Sequence, residues 1–65
     1  MKLIKKSTND FAPDRIVCTD KQGIELATVY TDTRVRFTSS ELSVHEVNQI
    51  KTIAENFKLF FDNLQ

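Results

Sequence analysis

From Ser43 to Leu64 the chain reads S-V-H-E-V-N-Q-I-K-T-I-A-E-N-F-K-L-F-F-D-N-L, and this stretch limits the folds available more than any other. Ser43 and Glu46 stand three apart, as a capping box requires: the hydroxyl accepts a first-turn backbone N–H while the carboxylate reaches back to the cap. Leu42 before the cap and Val47 after it have the spacing of a hydrophobic staple, which fixes how the chain enters the helix. Val47, Ile50, Ala54, Phe57, Phe61 and Leu64 then follow at steps of three and four, with Ile53 and Phe60 widening the stripe to an arc of roughly 140° at 100° per residue. Lys51, Glu55, Lys58 and Asp62 fall on the opposite side, and Leu59 is the one large apolar residue among them. The spacing predicts a single amphipathic helix over about 43–64.

A helix with so wide an apolar face needs a surface to cover, and the first 38 residues offer one. R-I-V-C-T and I-E-L-A-T-V-Y are rich in β-branched and apolar residues, and the D-K-Q-G between them suits a type I turn with Gly23 at positive φ. They predict a hairpin with a bulge at Gly23. Ile24, Leu26 and Tyr30 fall on one face of its second strand and Glu25, Ala27 and Val29 on the other; neither set is clearly polar, so both faces should be partly covered. T-D-T at 31–33 marks a second tight turn. R-V-R-F-T follows as a half-buried strand, with Val35 and Phe37 inward and Arg34 and Arg36 outward.

The N-terminal M-K-L-I-K-K-S-T reads as an edge strand, where lysine discourages pairing with another molecule, or as a frayed terminus. N-D-F-A-P-D at 9–14 is a turn cluster, and Phe11 within it should tuck under the sheet. The expected fold is α+β: a three- to four-stranded antiparallel β-meander over about 2–38, packed against one long C-terminal amphipathic helix. At 65 residues this is one domain, close to the lower size limit for a self-sufficient core, and oligomerisation is a plausible supplement.

Composition narrows the function classes. Nine basic residues balance nine acidic ones, which removes the general electrostatic case for nucleic acid or an anionic membrane. No run approaches the ~18 apolar residues of a membrane span, and Met-Lys-Leu-Ile-Lys-Lys turns polar too soon for a signal peptide. A lone cysteine, Cys18, can form no internal disulfide, and a reducing, cytoplasmic location is the expectation.

Catalytic chemistry finds no footing. Cys18 and His45 are the only thiol and the only imidazole in the chain, the natural candidates for a nucleophile and its base. One falls in mid-strand and the other in the first turn of the helix, with no third group to orient them. Structural zinc needs about four ligands of this kind. Asn9, Asp10, Asp14 and Asp20 match no calcium-loop spacing and are explained by turn formation. A glycine-rich phosphate loop cannot be built from one glycine. No enzyme, metal or cofactor is expected.

Two binding surfaces remain. Arg34 and Arg36, two apart on one strand, read first as a solvated face and second as an anion patch for phosphate or carboxylate, to which Arg15, the N-terminal lysines and Tyr30 could add; the alternative function is then a nucleic-acid- or small-anion-binding regulatory protein. The helix end is the stronger candidate. Phe57, Leu59, Phe60, Phe61 and Leu64 are more apolar surface than one small sheet can cover, and the surplus should serve a protein partner or self-association as a homodimer. A coiled coil fits less well: the heptad pattern is too short, and phenylalanine is bulky for a dimer seam.

The hairpin residues Asp20, Gly23, Leu26, Ala27 and Val29, followed by a helix carrying Asn56, Leu59 and Leu64, resemble a loose class of short bacteriophage-encoded accessory proteins. In that class a D-x-x-G hairpin precedes a C-terminal helix whose small Ala-Ala-Pro segment is here replaced by Lys58-Leu59-Phe60-Phe61. The resemblance covers roughly the last fifty residues. It implies no catalytic residue and suggests a small protein that binds, and in some cases blocks, a host factor.

Overall fold

Two turns of the same design shape the sheet. In the first, Asp20 accepts the Gly23 N–H at 3.2 Å on its carbonyl and donates its own N–H to the Ile24 carbonyl at 3.0 Å. Its carboxylate accepts the Gln22 and Ile24 N–H groups at 2.8 and 3.0 Å. In the second, Tyr30 does the same with Thr33 (3.1 Å) and Arg34 (2.9 Å), and the Asp32 carboxylate accepts the Arg34 N–H at 3.2 Å. Each three-residue loop ends on a residue at positive φ, Gly23 at 87° and Thr33 at 70°, the left-handed position that closes a three-residue hairpin loop with a bulge.

In this computed structural model, which describes residues 1–6 and 14–64, these turns link strands β2 (Arg15–Thr19), β3 (Glu25–Tyr30) and β4 (Val35–Phe37). A further strand, β1 (Lys2–Lys6), pairs with β2, giving one four-stranded antiparallel meander in the order β1-β2-β3-β4. The meander order follows the expectation from sequence, and of the two readings left open for the N-terminal segment, edge strand or frayed terminus, Lys2–Lys6 forms the edge strand. The turn cluster at 9–14 and the position of Phe11 lie, Asp14 apart, outside the described residues.

Register sorts the side chains onto two faces. Leu3, Cys18, Ala27 and Phe37 form one row across the sheet, and Lys5, Ile16, Val29 and Val35 the next. These rows face the helices, and Ile16, Cys18, Ala27 and Val29 are buried there. On the reverse face Ile4, Val17, Thr28 and Arg36 are aligned. Val17, Thr19, Leu26 and Thr28 are also buried, so β2 and β3 are covered on both sides, as their mixed composition anticipated. The expected bulge is present, since Gly23, at positive φ, and Ile24 both bond to Asp20, and a second register shift follows further along, where Cys18 faces Ala27 and Thr19 faces Glu25. Ile24 does not join Leu26 on a covered face. It sits in the turn before β3 and is exposed. Phe37, predicted inward, is 46% exposed because β4 is a three-residue edge strand with no further strand beyond it among the described residues.

The link to the helices is tied to β3, where the N–H groups of Thr38 and Ser39 both donate to the Leu26 carbonyl at 3.0 and 3.2 Å. The capping box then forms as the sequence requires. The Glu46 N–H donates to Ser43 Oγ at 3.1 Å and the Ser43 N–H to Glu46 Oε1 at 3.0 Å.

One expectation is corrected. The single long helix over 43–64 is two helices, α1 (Val44–Glu55) and α2 (Phe57–Asn63), separated at Asn56 with φ −121° and ψ 36°. At the break the Asn56 N–H is shared between the Thr52 and Ile53 carbonyls, at 3.1 and 3.3 Å, and its side-chain amide also donates to Thr52 O at 3.0 Å. One turn earlier Thr52 Oγ1 donates to Asn48 O at 3.0 Å. Such side-chain bonds compete with the regular ladder and bend helices. Geometry supplies the reason a bend is useful: a straight 22-residue helix runs roughly 33 Å, while strands of five or six residues span about 17–20 Å. After the break Phe57 and Phe61 still reach the core, their rings stacked with centroids 5.2 Å apart at 19°.

Candidate binding surfaces

Side chains with reactive chemistry are kept apart. Cys18 is buried in the sheet, and burial pushes its thiol up from 9.0 to about 11, which leaves it protonated and unreactive at neutral pH. His45 is exposed on the first turn of α1. Among the described residues no three His, Cys, Asp or Glu side chains are grouped to hold a metal ion, and no helix is long and apolar enough to cross a membrane.

The arginine pair is on the surface, as the strand alternation implied, but its two members differ. Arg34 Nε lies 2.6 Å from Asp32 Oδ2 and its guanidinium is 5.7 Å from the centroid of the Tyr30 ring. Its charge is therefore already matched inside the β3–β4 hairpin, although an exposed pair of this kind contributes little to stability. Arg36 is exposed on the reverse face of the sheet, in the row of Thr28. Tyr30, Arg34, Val35 and Arg36 together line a shallow hollow of about 380 Å³.

The five apolar residues at the helix end separate. Phe57 and Phe61 are buried, and Lys5 Nζ lies 4.6 Å from the Phe61 ring centroid, so both rings are occupied by the fold itself. Phe60 and Leu64 are half-buried against the core. Leu59 is 63% exposed, as its place on the polar side of the wheel required.

What the sequence did not foretell is where the Phe60 surplus lies. Helix α1 packs over β3 and β4, while α2 reaches β1 through Phe61 and Lys5. The start of β1 is left incompletely covered, and an open groove of about 270 Å³ runs between β1 and the helices. Met1 and Leu3 form its sheet wall, Ile53 and Phe60 its apolar helix wall, and Gln49 and Thr52 its polar rim. The outer edge of β1 borders the groove, since β1 is the last strand of the sheet and pairs only with β2 among the described residues. The sequence pointed to an edge strand through its lysines, and to Phe60 through the stripe width. Their meeting across the groove joins residues nearly sixty positions apart, with no local signature. Compared with known proteins, the chain matches no protein-family profile, no curated protein and no solved structure.

Proposed function

We propose that this chain is a non-catalytic binding protein that engages a protein partner through the groove beside β1. The observation that carries this reading is the groove itself: Met1, Leu3 and Phe60, drawn from both ends of a small chain, stay partly open to solvent over a floor that includes the buried Ile53, beside a strand edge with no partner among the described residues. Small domains have little apolar surface to spare, and a concave, mostly apolar hollow with a polar rim is the usual form of a binding site. The resemblance to phage accessory proteins agrees with this mode of action, and an accessory or inhibitory role on a host protein is its natural use. The anion-binding alternative at Arg34 and Arg36 is less well supported, because Asp32 already neutralises one of its two charges.

The test compares three forms of the protein: the natural chain, Gln49→Arg and the double variant Arg34→Ala with Arg36→Ala. Gln49 is exposed on the groove rim, so a longer charged side chain obstructs the groove without entering the core. Each form is assayed against a displayed random-peptide library and against single- and double-stranded nucleic acid over a salt series. The expected result is peptide binding that Gln49→Arg abolishes and the arginine double variant keeps. Salt-steep nucleic-acid retention that the double variant abolishes, with no peptides enriched, would overturn the proposal.

A further inference from the structure

The edge of β1 specifies the chemistry of its occupant, and this step rests on the binding role of the groove. We infer that the partner contributes an extended acidic and apolar segment, which adds to β1 as a fifth antiparallel strand and places one apolar side chain in the groove.

Strand alternation fixes what each position of β1 shows to a neighbour. Lys2, Ile4 and Lys6 are exposed on the face away from the helices, with Ile4 40% exposed. Leu3 and Lys5 point to the helix side, where Leu3 walls the groove and Lys5 covers the Phe61 ring. A strand docked about 4.8 Å further out continues both faces. Its residue beside Leu3 enters the groove next to Phe60 and Ile53, and its residue beside Ile4 finds an apolar cross-strand partner. Its residues beside Lys2 and Lys6 meet one cation each, which carboxylates satisfy. Read antiparallel, the matching segment is acid, any residue, β-branched, apolar, acid, its fourth residue filling the groove.

The same register disfavours a second copy at this edge. Two β1 strands paired antiparallel about Ile4 set Lys2 opposite Lys6 twice, and paired parallel in register they set each lysine opposite itself. Like charges directly opposite are destabilising, which is how edge lysines prevent self-pairing. An acidic strand turns that barrier into an attraction while its main chain completes the ladder.

The experiment uses a capped peptide with the core Glu-Thr-Val-Leu-Glu flanked by serines, titrated into the isotopically labelled full chain. Amide shifts and hydrogen-exchange protection should concentrate on Lys2–Lys6, with side-chain shifts at Phe60 and Ile53. Lys2→Glu with Lys6→Glu, both on exposed positions, should weaken binding roughly tenfold and transfer the preference to the peptide with lysines in place of its glutamates. If library peptides sensitive to Gln49→Arg instead carry apolar residues at helical spacing and no acidic preference, strand addition is overturned while the binding role of the groove survives. Enrichment of no peptide sensitive to Gln49→Arg overturns both. Light scattering gives the remaining outcome: a mass double that of the 7.5 kDa chain at low and high concentration, lost on Gln49→Arg, would assign the groove to a second copy and overturn the inference.

Discussion

Thr33 occupies a backbone conformation that its side chain disfavours, and relieving it should stabilise the protein. The two hairpin loops are equivalent in backbone hydrogen bonding, yet the positive-φ position is glycine in one and a β-branched threonine in the other, at 87° and 70°. Left-handed backbone costs a residue with a Cβ about 1–2 kcal/mol. Thr33 is exposed, and its hydroxyl has no hydrogen-bond partner among the described residues to offset that cost. Thr33→Gly removes the strain but adds unfolded-chain freedom worth about 0.4–1 kcal/mol. The net gain is about 0.5–1 kcal/mol, and with a urea slope of ~1 kcal/mol/M for so small a domain the midpoint should rise by about 0.5–1 M. Gly23→Ala is the mirror experiment. A Cβ at Gly23 meets nothing within 4 Å, so its cost is purely that of the backbone, and the midpoint should fall by a similar amount. Urea unfolding followed by circular dichroism measures both. A midpoint for Thr33→Gly that is unchanged or lower, alongside the expected fall for Gly23→Ala, would refute the reasoning and show that the threonine side chain has a stabilising role of its own.

Ile50 is fully buried at the centre of the α1 face, and Ile50→Ala should cost about 2–5 kcal/mol, most of what a domain this small has to lose, so its far-UV circular dichroism should approach that of an unfolded chain. Ser43→Ala removes the cap of α1 and should lower stability by about 1 kcal/mol in the same urea assay. The Glu46 carboxyl is held below its ordinary value of 4.5 by the hydrogen bond from the Ser43 backbone N–H, then by the Ser43 hydroxyl. That contribution is present above pH 4.5 and is lost as pH falls through the lower folded value, so Glu46→Gln should flatten the acid limb of stability against pH. Cys18 should resist a thiol reagent at pH 8 in the folded protein and react fully in urea. Because its folded pKa is raised, stability should fall as pH climbs from 9.0 to about 11, and Cys18→Ala should remove that part of the alkaline decline.

The elements legible in the sequence were those set by neighbours along the chain. Ser43 and Glu46 announce the helix start because both partners of the box lie within one turn. Asp20 and Gly23 announce the first hairpin, and alternation through Arg34, Val35 and Arg36 separates the faces of β4. The helix break was the local feature that escaped notice. Thr52 and Asn56 sit four apart, as side-chain to backbone bonding requires, but periodicity of the apolar stripe alone carries straight through it. The candidate surface was legible only in halves, an edge strand rich in lysine and a helix end rich in phenylalanine.

Sequence alone thus determined the three strands after Asp14, their meander order, the capped start of the helix and the exposure of Leu59, because each follows from backbone geometry acting over a few residues, whereas the pairing of Lys2–Lys6 with β2 was decided by the fold. Only the tertiary structure decided how the aromatic surplus is divided. The bend at Asn56 keeps Phe57 and Phe61 over the sheet, and the packing of α1 on β3 and β4 leaves β1 partly bare. Phe60 comes to face Leu3 and Met1 across an open groove as a result, a juxtaposition set by how the layers close and by no residue's immediate neighbours.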